Sequence, residues 1–281
     1  MTVVTQAGEL RAVVAGGGQP RVLVPTMGAL HEGHLALVRR ARELAGPAGT
    51  VVVSIFVNPI QFERAADLAA YPRPLEADLT SCRAAGVDVV FAPVAEAMYC
   101  ADHSVTVTES WLSRGMCGAA RPGHFDGVCT VVLKLFLLSG CELAVFGDKD
   151  FQQLAVIRRM VRDLNVPVAI VDHPTVRETD GLALSSRNVR LSAAQRADAP
   201  RLWQALLAAQ AAFTAGTRAP AELLEFARYG IRASALARID YVSLVDAETL
   251  QAVERIERPA ILATAVFYGE VRLIDHIRLE P

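Results

Sequence analysis

Over the first 175 residues, short valine-rich apolar runs alternate with stretches whose apolar residues recur every three or four positions. The runs at 21–24, 50–57, 87–91, 142–146 and 167–171 are apolar at successive positions, which predicts strands covered on both faces. The stretches at 35–44, 75–85, 127–138 and 151–164 carry an apolar stripe at helical spacing and predict helices between those strands. Strands separated by helices cannot pair through hairpins; they run parallel, with helices packed on both sides of one sheet. The expected fold class is α/β, a doubly wound, Rossmann-like parallel sheet over residues 1–175.

The pattern changes near residue 176. Helical patterns at 192–213 and 220–233 are followed by strand patterns at 240–244, 260–267 and 271–277, and Gly269-Glu270 is placed to close a hairpin between the last two. Helices followed by antiparallel strands predict a smaller C-terminal α+β domain over 176–281. Gly16-Gly17-Gly18 reads as a turn before the first strand, and no internal repeat or low-complexity segment interrupts the chain.

Composition narrows the class. A chain of 281 residues with 52% hydrophobic and 21% charged residues has the balance of a soluble globular enzyme. No apolar run approaches the ~18 residues that span a bilayer, and the start Met-Thr-Val-Val-Thr-Gln is not a secretory leader, so the expected compartment is the cytoplasm, with no membrane partner. A formal net charge of −2 argues against a nucleic-acid partner, which demands a basic face. The five cysteines, Cys82, Cys100, Cys117, Cys129 and Cys141, show no C-x-x-C pairing. They read as reduced thiols and not as a zinc site or a disulfide framework. Of 28 basic residues only Lys134 and Lys149 are lysine, which raises the question of why arginine does not serve there. Lys134 lies in a helical pattern and reads as a packed stem with its head at the surface.

Candidate chemistry gathers where strands end and helices begin, the edge at which doubly wound sheets bind ligands. Residues 25–34, Pro-Thr-Met-Gly-Ala-Leu-His-Glu-Gly-His, join the first apolar run to a helix that opens on His31 and His34. Unpaired N–H groups and a positive dipole end make such a start an anion site, and the imidazoles add directed donors, while Gly28 and Gly33 let backbone approach a bulky nucleotide. A capping role or half of a metal site are the competing readings of the two histidines. Gly147, Asp148, Lys149 and Asp150 occupy a second strand-to-helix turn, with Gln153 one turn into its helix. There an ammonium suits a phosphate oxygen in a tight site better than a wide guanidinium does. Asn58 and Gln61 flank Pro59 after the second run and offer amides to a substrate. Leu184, Ser185, Ser186 and Arg187 place two hydroxyls and a guanidinium in a loop that can close on phosphates.

The His-x-Gly-His pattern after a first strand resembles the nucleotidyltransferase superfamily, and the full ten-residue segment resembles the pantoate–β-alanine ligase family. The resemblance runs from about residue 9 to 279 and includes Tyr71-Pro72-Arg73, Arg121-Pro122-Gly123-His124-Phe125 and Arg272-Leu273-Ile274-Asp275. It implies ATP-dependent condensation of pantoate with β-alanine through a pantoyl adenylate, with Mg²⁺ accompanying ATP and neither flavin, nicotinamide nor zinc. By motif, it implies that Met27, Gly28, Ala29, Leu30, His31, Glu32, Gly33, His34, Gly147, Asp148, Lys149, Asp150, Val176, Leu184, Ser185, Ser186 and Arg187 surround ATP. His34, His31, Lys149 and Arg187 would serve the chemistry. Gln61 and Gln153, with Asn58, would hold the substrate acid, Gln61 also meeting β-alanine. The family further implies a homodimer. Three positions depart from its pattern: Asp148 stands where glutamate is usual, His276 where asparagine is usual, and Ala77 where a second aspartate would neighbour Asp78, the candidate Mg²⁺ ligand. Two alternatives remain at this stage, another adenylyl- or cytidylyltransferase on the same fold and a nucleotide-binding regulatory protein without turnover. An aminoacyl-tRNA synthetase shares the histidine motif, but no basic surface signal or anticodon-binding extension accompanies it here.

Overall fold

A computed structural model describes residues 1–63 and 65–281. The chain divides into two compact units, one of Met1–Ser110, Arg121–Asp148 and Gln153–Pro174, the other of Trp111–Ala120, Lys149–Gln152 and Thr175–Pro281.

The first unit contains β1 (Thr2–Val4), α1 (Ala7–Ala15), β2 (Arg21–Thr26), α2 (Glu32–Ala45), β3 (Thr50–Ile55), α3 (Ala65–Ala69), α4 (Leu75–Ala84), β4 (Val89–Phe91) and α5 (Ala95–Met98). After α6 (Met116–Ala120), which belongs to the second unit, follow α7 (His124–Ser139), β5 (Leu143–Gly147), α8 (Phe151–Asp163) and β6 (Ala169–His173). The six strands form one parallel sheet in the order β1-β4-β3-β2-β5-β6. The valine runs are buried on both faces, as doubly covered strands must be: Val22, Val24, Val51, Val53, Val90 and Val145 share one core cluster with Leu37, Val38 and Ala41 of α2 and Leu79 and Cys82 of α4.

The chain winds outward from β2 through β3 and β4, then starts again on the other side with β5 and β6. The switch therefore lies between β2 and β5. Their ladder is short, Val22 opposite Leu143 and Leu23 opposite Ala144, whereas β2 and β3 stay paired through Thr26 and Ile55. Pro25, which has no N–H to donate, falls beyond the last β2–β5 pair, where the missing donor costs no ladder bond on that side. The carboxyl ends of β2 and β5 thus diverge, and the turns that follow them carry the two strand-to-helix motifs.

The second unit holds α9 (Ala193–Asp198), α10 (Arg201–Thr214), α11 (Pro220–Arg232) and an antiparallel sheet of β7 (Ala237–Asp246), β8 (Ala260–Tyr268) and β9 (Val271–Leu279) in that order. Tyr268 pairs with Val271, so Gly269 and Glu270 close the expected hairpin. Apolar residues of α10, α11 and the sheet, among them Leu206, Leu223, Ile231, Leu262 and Val266, make its core.

Several elements differ from the sequence expectation. β1 and α1 precede the strand taken as first; β1 pairs with β4 at the sheet edge, so the Gly16-Gly17-Gly18 turn comes before the second strand. The single helix expected over 192–213 is two, interrupted at Ala199 and Pro200, because proline cannot continue the ladder of the preceding turn. A single cut at 175/176 also misses two segments that cluster with the second unit. The reason is local: the Gln152 amide donates to the carbonyls of Leu112 and Gly115 (both 2.8 Å) and accepts from the Cys117 N–H (2.9 Å), tying the 111–120 stretch to the start of α8. Among the described residues, no helix is long and apolar enough to cross a membrane.

Candidate active site

In the first unit the turn after β2 is held by its own polar groups and by a remote carboxylate. Thr26 Oγ1 donates to the Ser54 carbonyl (2.7 Å) and accepts the Gly28 N–H (3.1 Å). Gly28 and Ala29 then adopt left-handed conformations, φ 80° and 50°. A side chain at Gly28 would lie 2.9 Å from the Asp78 carboxylate and 3.0 Å from Ile55, so glycine is required by both conformation and space. Asp78 is 2% exposed, and its two oxygens accept the N–H groups of Ala29 (2.9 Å) and Leu30 (2.8 Å). Asp78, the residue expected to meet Mg²⁺, thus holds this turn through both of its oxygens, each accepting one backbone N–H. Among the described residues, no group of three His, Cys, Asp or Glu is placed to hold a metal ion.

His31 and His34 cap α2 reciprocally. His31 Nδ1 accepts the Gly33 N–H (3.2 Å), His34 Nδ1 accepts the His31 N–H (3.3 Å), and the ring centroids lie 4.1 Å apart. Capping and catalysis are therefore not alternatives here. A neutral imidazole whose Nδ1 accepts a hydrogen bond carries its proton on Nε2, so the cap sets both rings as Nε2–H donors at the positive end of a helix dipole. Glu32, in the same turn, pairs outward with Arg39, and the half-buried Leu30 packs against the core of the sheet.

Asn58 and Gln61 bound a 3₁₀ turn, Pro59–Gln61, after β3. Gln61 is 8% exposed; its Nε2 approaches Met27 Sδ at 3.0 Å and its Oε1 accepts from Asn58 Nδ2 at 3.0 Å. Asn58, at 1% exposure, does not face outward as a substrate amide. It also donates to the Gly127 carbonyl (3.0 Å) and accepts from the Tyr99 hydroxyl (2.7 Å), so in this structure it supports Gln61. A Cβ on Gly127 would sit 2.6 Å from the Ile60 carbonyl oxygen, so α7 reaches this turn only because residue 127 has no side chain. His124 Nδ1 (2.9 Å) and Arg121 (3.2 Å) both contact the Gln61 carbonyl, which gives the Arg121–Phe125 motif a place in the same support. Burial pushes the Tyr99 phenol well above its ordinary pKa, so it stays protonated and able to donate. Gln153, half-buried on α8, also belongs to this unit, as do Gly147 and Asp148 at the end of β5.

The remaining candidates lie in the second unit. Lys149, Leu182, Ser185, Arg187, Arg272 and Asp275 are among the residues lining a cleft of about 320 Å³. Asp275 is spent on Arg177 through two bonds (2.6 and 2.8 Å), and Arg272 is paired with Asp240 (2.8 Å). Lys149, its side chain 18% exposed, meets only the edge of Asp150 at 3.4 Å, and Arg187 has no carboxylate partner among the described residues. The cleft therefore keeps Arg187 without a carboxylate partner among the described residues and Lys149 paired at 3.4 Å with Asp150, beside the Ser185 hydroxyl, which accepts the Arg187 N–H (3.2 Å). That is a site for a polyanion. Leu184 and Val176 join the strands of a short hairpin (Leu184 N–H to Val176 carbonyl, 2.9 Å), and Ser186 follows it half-buried. Arg177 also stacks 3.5 Å from the Trp203 ring, so the hairpin is clamped at its base.

The sequence reading missed Tyr99, Gly127, Gln152 and the Arg177–Asp275 pair. Each acts on partners 35 or more residues away, a separation no local pattern records.

The profile described as Pantoate-beta-alanine ligase matches residues 2–278. A curated relative, the pantothenate synthetase of Akkermansia muciniphila, is 55% identical over 258 residues, 92% of each chain. The solved pantothenate synthetase from Thermus thermophilus superposes with a TM-score of 0.94 at 47% identity, covering 100% of both chains. The pantoate-beta-alanine ligase from Francisella tularensis, solved with beta-gamma ATP and beta-alanine, gives a TM-score of 0.81 at 29% identity, covering 99% of this chain and 97% of that one.

Proposed function

Because the chain belongs to the pantoate–β-alanine ligase family and is an amide-forming ligase, we propose that it joins pantoate to β-alanine at the expense of ATP through a pantoyl adenylate. A pantoate carboxylate oxygen attacks the α-phosphorus, the bond to the β-phosphate oxygen breaks, and pyrophosphate leaves with the electron pair. The β-alanine nitrogen then attacks the acyl carbon, the acyl–oxygen bond breaks, AMP departs, and the amine proton passes to water. The first attack needs no base, since the acid is ionised at neutral pH.

What the protein supplies is directed positive charge and hydrogen bonding. The Nε2–H groups of His31 and His34 stabilise charge that develops on the α-phosphate, His34 as the principal donor. Lys149 and Arg187, with Ser185 and Ser186, take the phosphates of the leaving pyrophosphate. The backbone of residues 27–34, Gly147, Asp148, Asp150, Val176 and Leu184 completes the ATP contacts. Gln61 and Gln153 hold the hydroxy acid. Mg²⁺ would enter with ATP and would supply charge neutralisation at the phosphates. The observation that carries this reading is the reciprocal histidine cap, which presents two neutral donors at a helix N-terminus. Five free thiols suit a reducing compartment, the cytoplasm.

The test is exchange of labelled pyrophosphate into ATP. Pantoate alone should support exchange without β-alanine. AMP formed only when the amine is present, with no exchange before it, would overturn the adenylate route.

A further inference from the structure

The Gln61 carboxamide has two chemically opposite ends, and either could face a ligand. What surrounds it removes the choice. The Gly127 carbonyl is a pure acceptor, so the end of Asn58 that faces it is Nδ2 (3.0 Å), and the same Nδ2 donates its second hydrogen to Gln61 Oε1 (3.0 Å). The opposite end of Asn58, Oδ1, then requires a donor, and the Tyr99 hydroxyl supplies it at 2.7 Å. With Oε1 occupied, Gln61 turns Nε2 toward Met27 Sδ (3.0 Å), a thioether that accepts weakly and yields to an oxygen ligand at little cost. Donation runs one way along the chain, from Tyr99 to Asn58 to Gln61, and hydrogen bonds aligned in this manner polarise one another.

We propose that Tyr99 is a positioning residue for acid recognition: through Asn58 it locks the Gln61 amide so that only N–H faces the substrate, selecting a ligand that offers acceptor oxygens. The inference rests on the reading that Gln61 meets pantoate. Tyr99 itself touches neither substrate in this scheme. Its ring is seated by Phe56 (6.2 Å between centroids), His103 (5.2 Å) and the Lys134 ammonium (5.6 Å), contacts that phenylalanine can retain in the main.

Steady-state kinetics of Tyr99→Phe, Asn58→Asp and Gln61→Ala, each with thermal melting, separate the possibilities. Loss of the phenol leaves Asn58 Oδ1 buried without a donor, so Tyr99→Phe should raise the KM for pantoate about tenfold while the KM for ATP holds and kcat stays within about twofold. Asn58→Asp offers Gln61 only acceptors, turns its carbonyl toward the acid, and should raise the pantoate KM further, again without a change for ATP. An unchanged pantoate KM in Tyr99→Phe, with a large rise in Gln61→Ala, would overturn the relay and leave the site reading standing. An unchanged pantoate KM in Gln61→Ala would overturn the site reading itself. Equal rises for pantoate and ATP in Tyr99→Phe would make the tyrosine merely structural and also overturn the proposal. If Tyr99→Phe melts early, the selective effect is read from Asn58→Asp, where the same split between substrates decides.

Discussion

At the scale of single residues, Lys149 is the sharpest case. It is one of two lysines among 28 basic residues, and it lines a cleft with Arg187 and with Arg272, which Asp240 matches. A compact ammonium fits against a phosphate oxygen where a wider guanidinium would push the phosphate away. Lys149→Ala should slow adenylate formation about a hundredfold to a thousandfold, or roughly 3–4 kcal/mol, with melting unchanged. Lys149→Arg should recover little of that rate in single-turnover measurements. Near-normal turnover in the arginine variant would show that charge alone suffices. Lys149, His31 and His34 were legible as residues placed at strand-to-helix turns, because that signal is local. Asp78 was not, since its function is to satisfy two backbone donors 48 and 49 residues earlier in the chain.

At the scale of elements, one junction in each unit supports candidate residues. Where α7 meets the 59–61 turn, Gly127→Ala would drive a methyl group to within 2.6 Å of the Ile60 carbonyl oxygen. Helix and turn must separate, at a cost of about 1–3 kcal/mol, typical of overpacking. The expected readout is a lower melting temperature together with a raised pantoate KM, because the Asn58–Gln61 support moves with the turn; a variant as stable and as tight as the parent would refute the close contact. The second junction is the hairpin that precedes Ser185. Arg196 pairs with Asp180 and with Glu178 (both 2.6 Å), and its hydrogen bond holds the Asp180 carboxyl below the usual carboxylate range. A lowered native pKa means that the stabilisation is present in full above the ordinary value, near about pH 4, and is lost as pH falls through the native one. Amide exchange in residues 177–183 should therefore accelerate below about pH 4, and Arg196→Gln should flatten that dependence. Equal acid sensitivity with and without Arg196 would remove the pair as its cause.

At the scale of the whole molecule, the expectation of a homodimer comes from the family, and sedimentation at micromolar concentration should show a species of twice the 30.2 kDa chain. A single-chain species alone would refute it. Much of the architecture was present in the sequence itself. Runs apolar on successive positions can only be buried on both faces, and helices between them force parallel pairing, so the doubly wound sheet and the turns at its carboxyl edge followed from periodicity. The same reasoning found the hairpin at Gly269-Glu270 and the second, antiparallel sheet. It missed β1, whose three residues find their partner β4 more than eighty positions away, and the break at Pro200, where one helical pattern covers two helices. Side-chain type and spacing determined which residues can donate, accept or carry charge. Which atom each one presents was decided only by tertiary contacts: the histidine cap put the protons on Nε2, Asp78 turned both oxygens to two backbone amides, and Asn58 became the support of Gln61 once Gly127 and Tyr99 claimed its ends. The physical reason is that a hydrogen bond's direction belongs to a pair of groups, and pairs remote in the chain are chosen by packing.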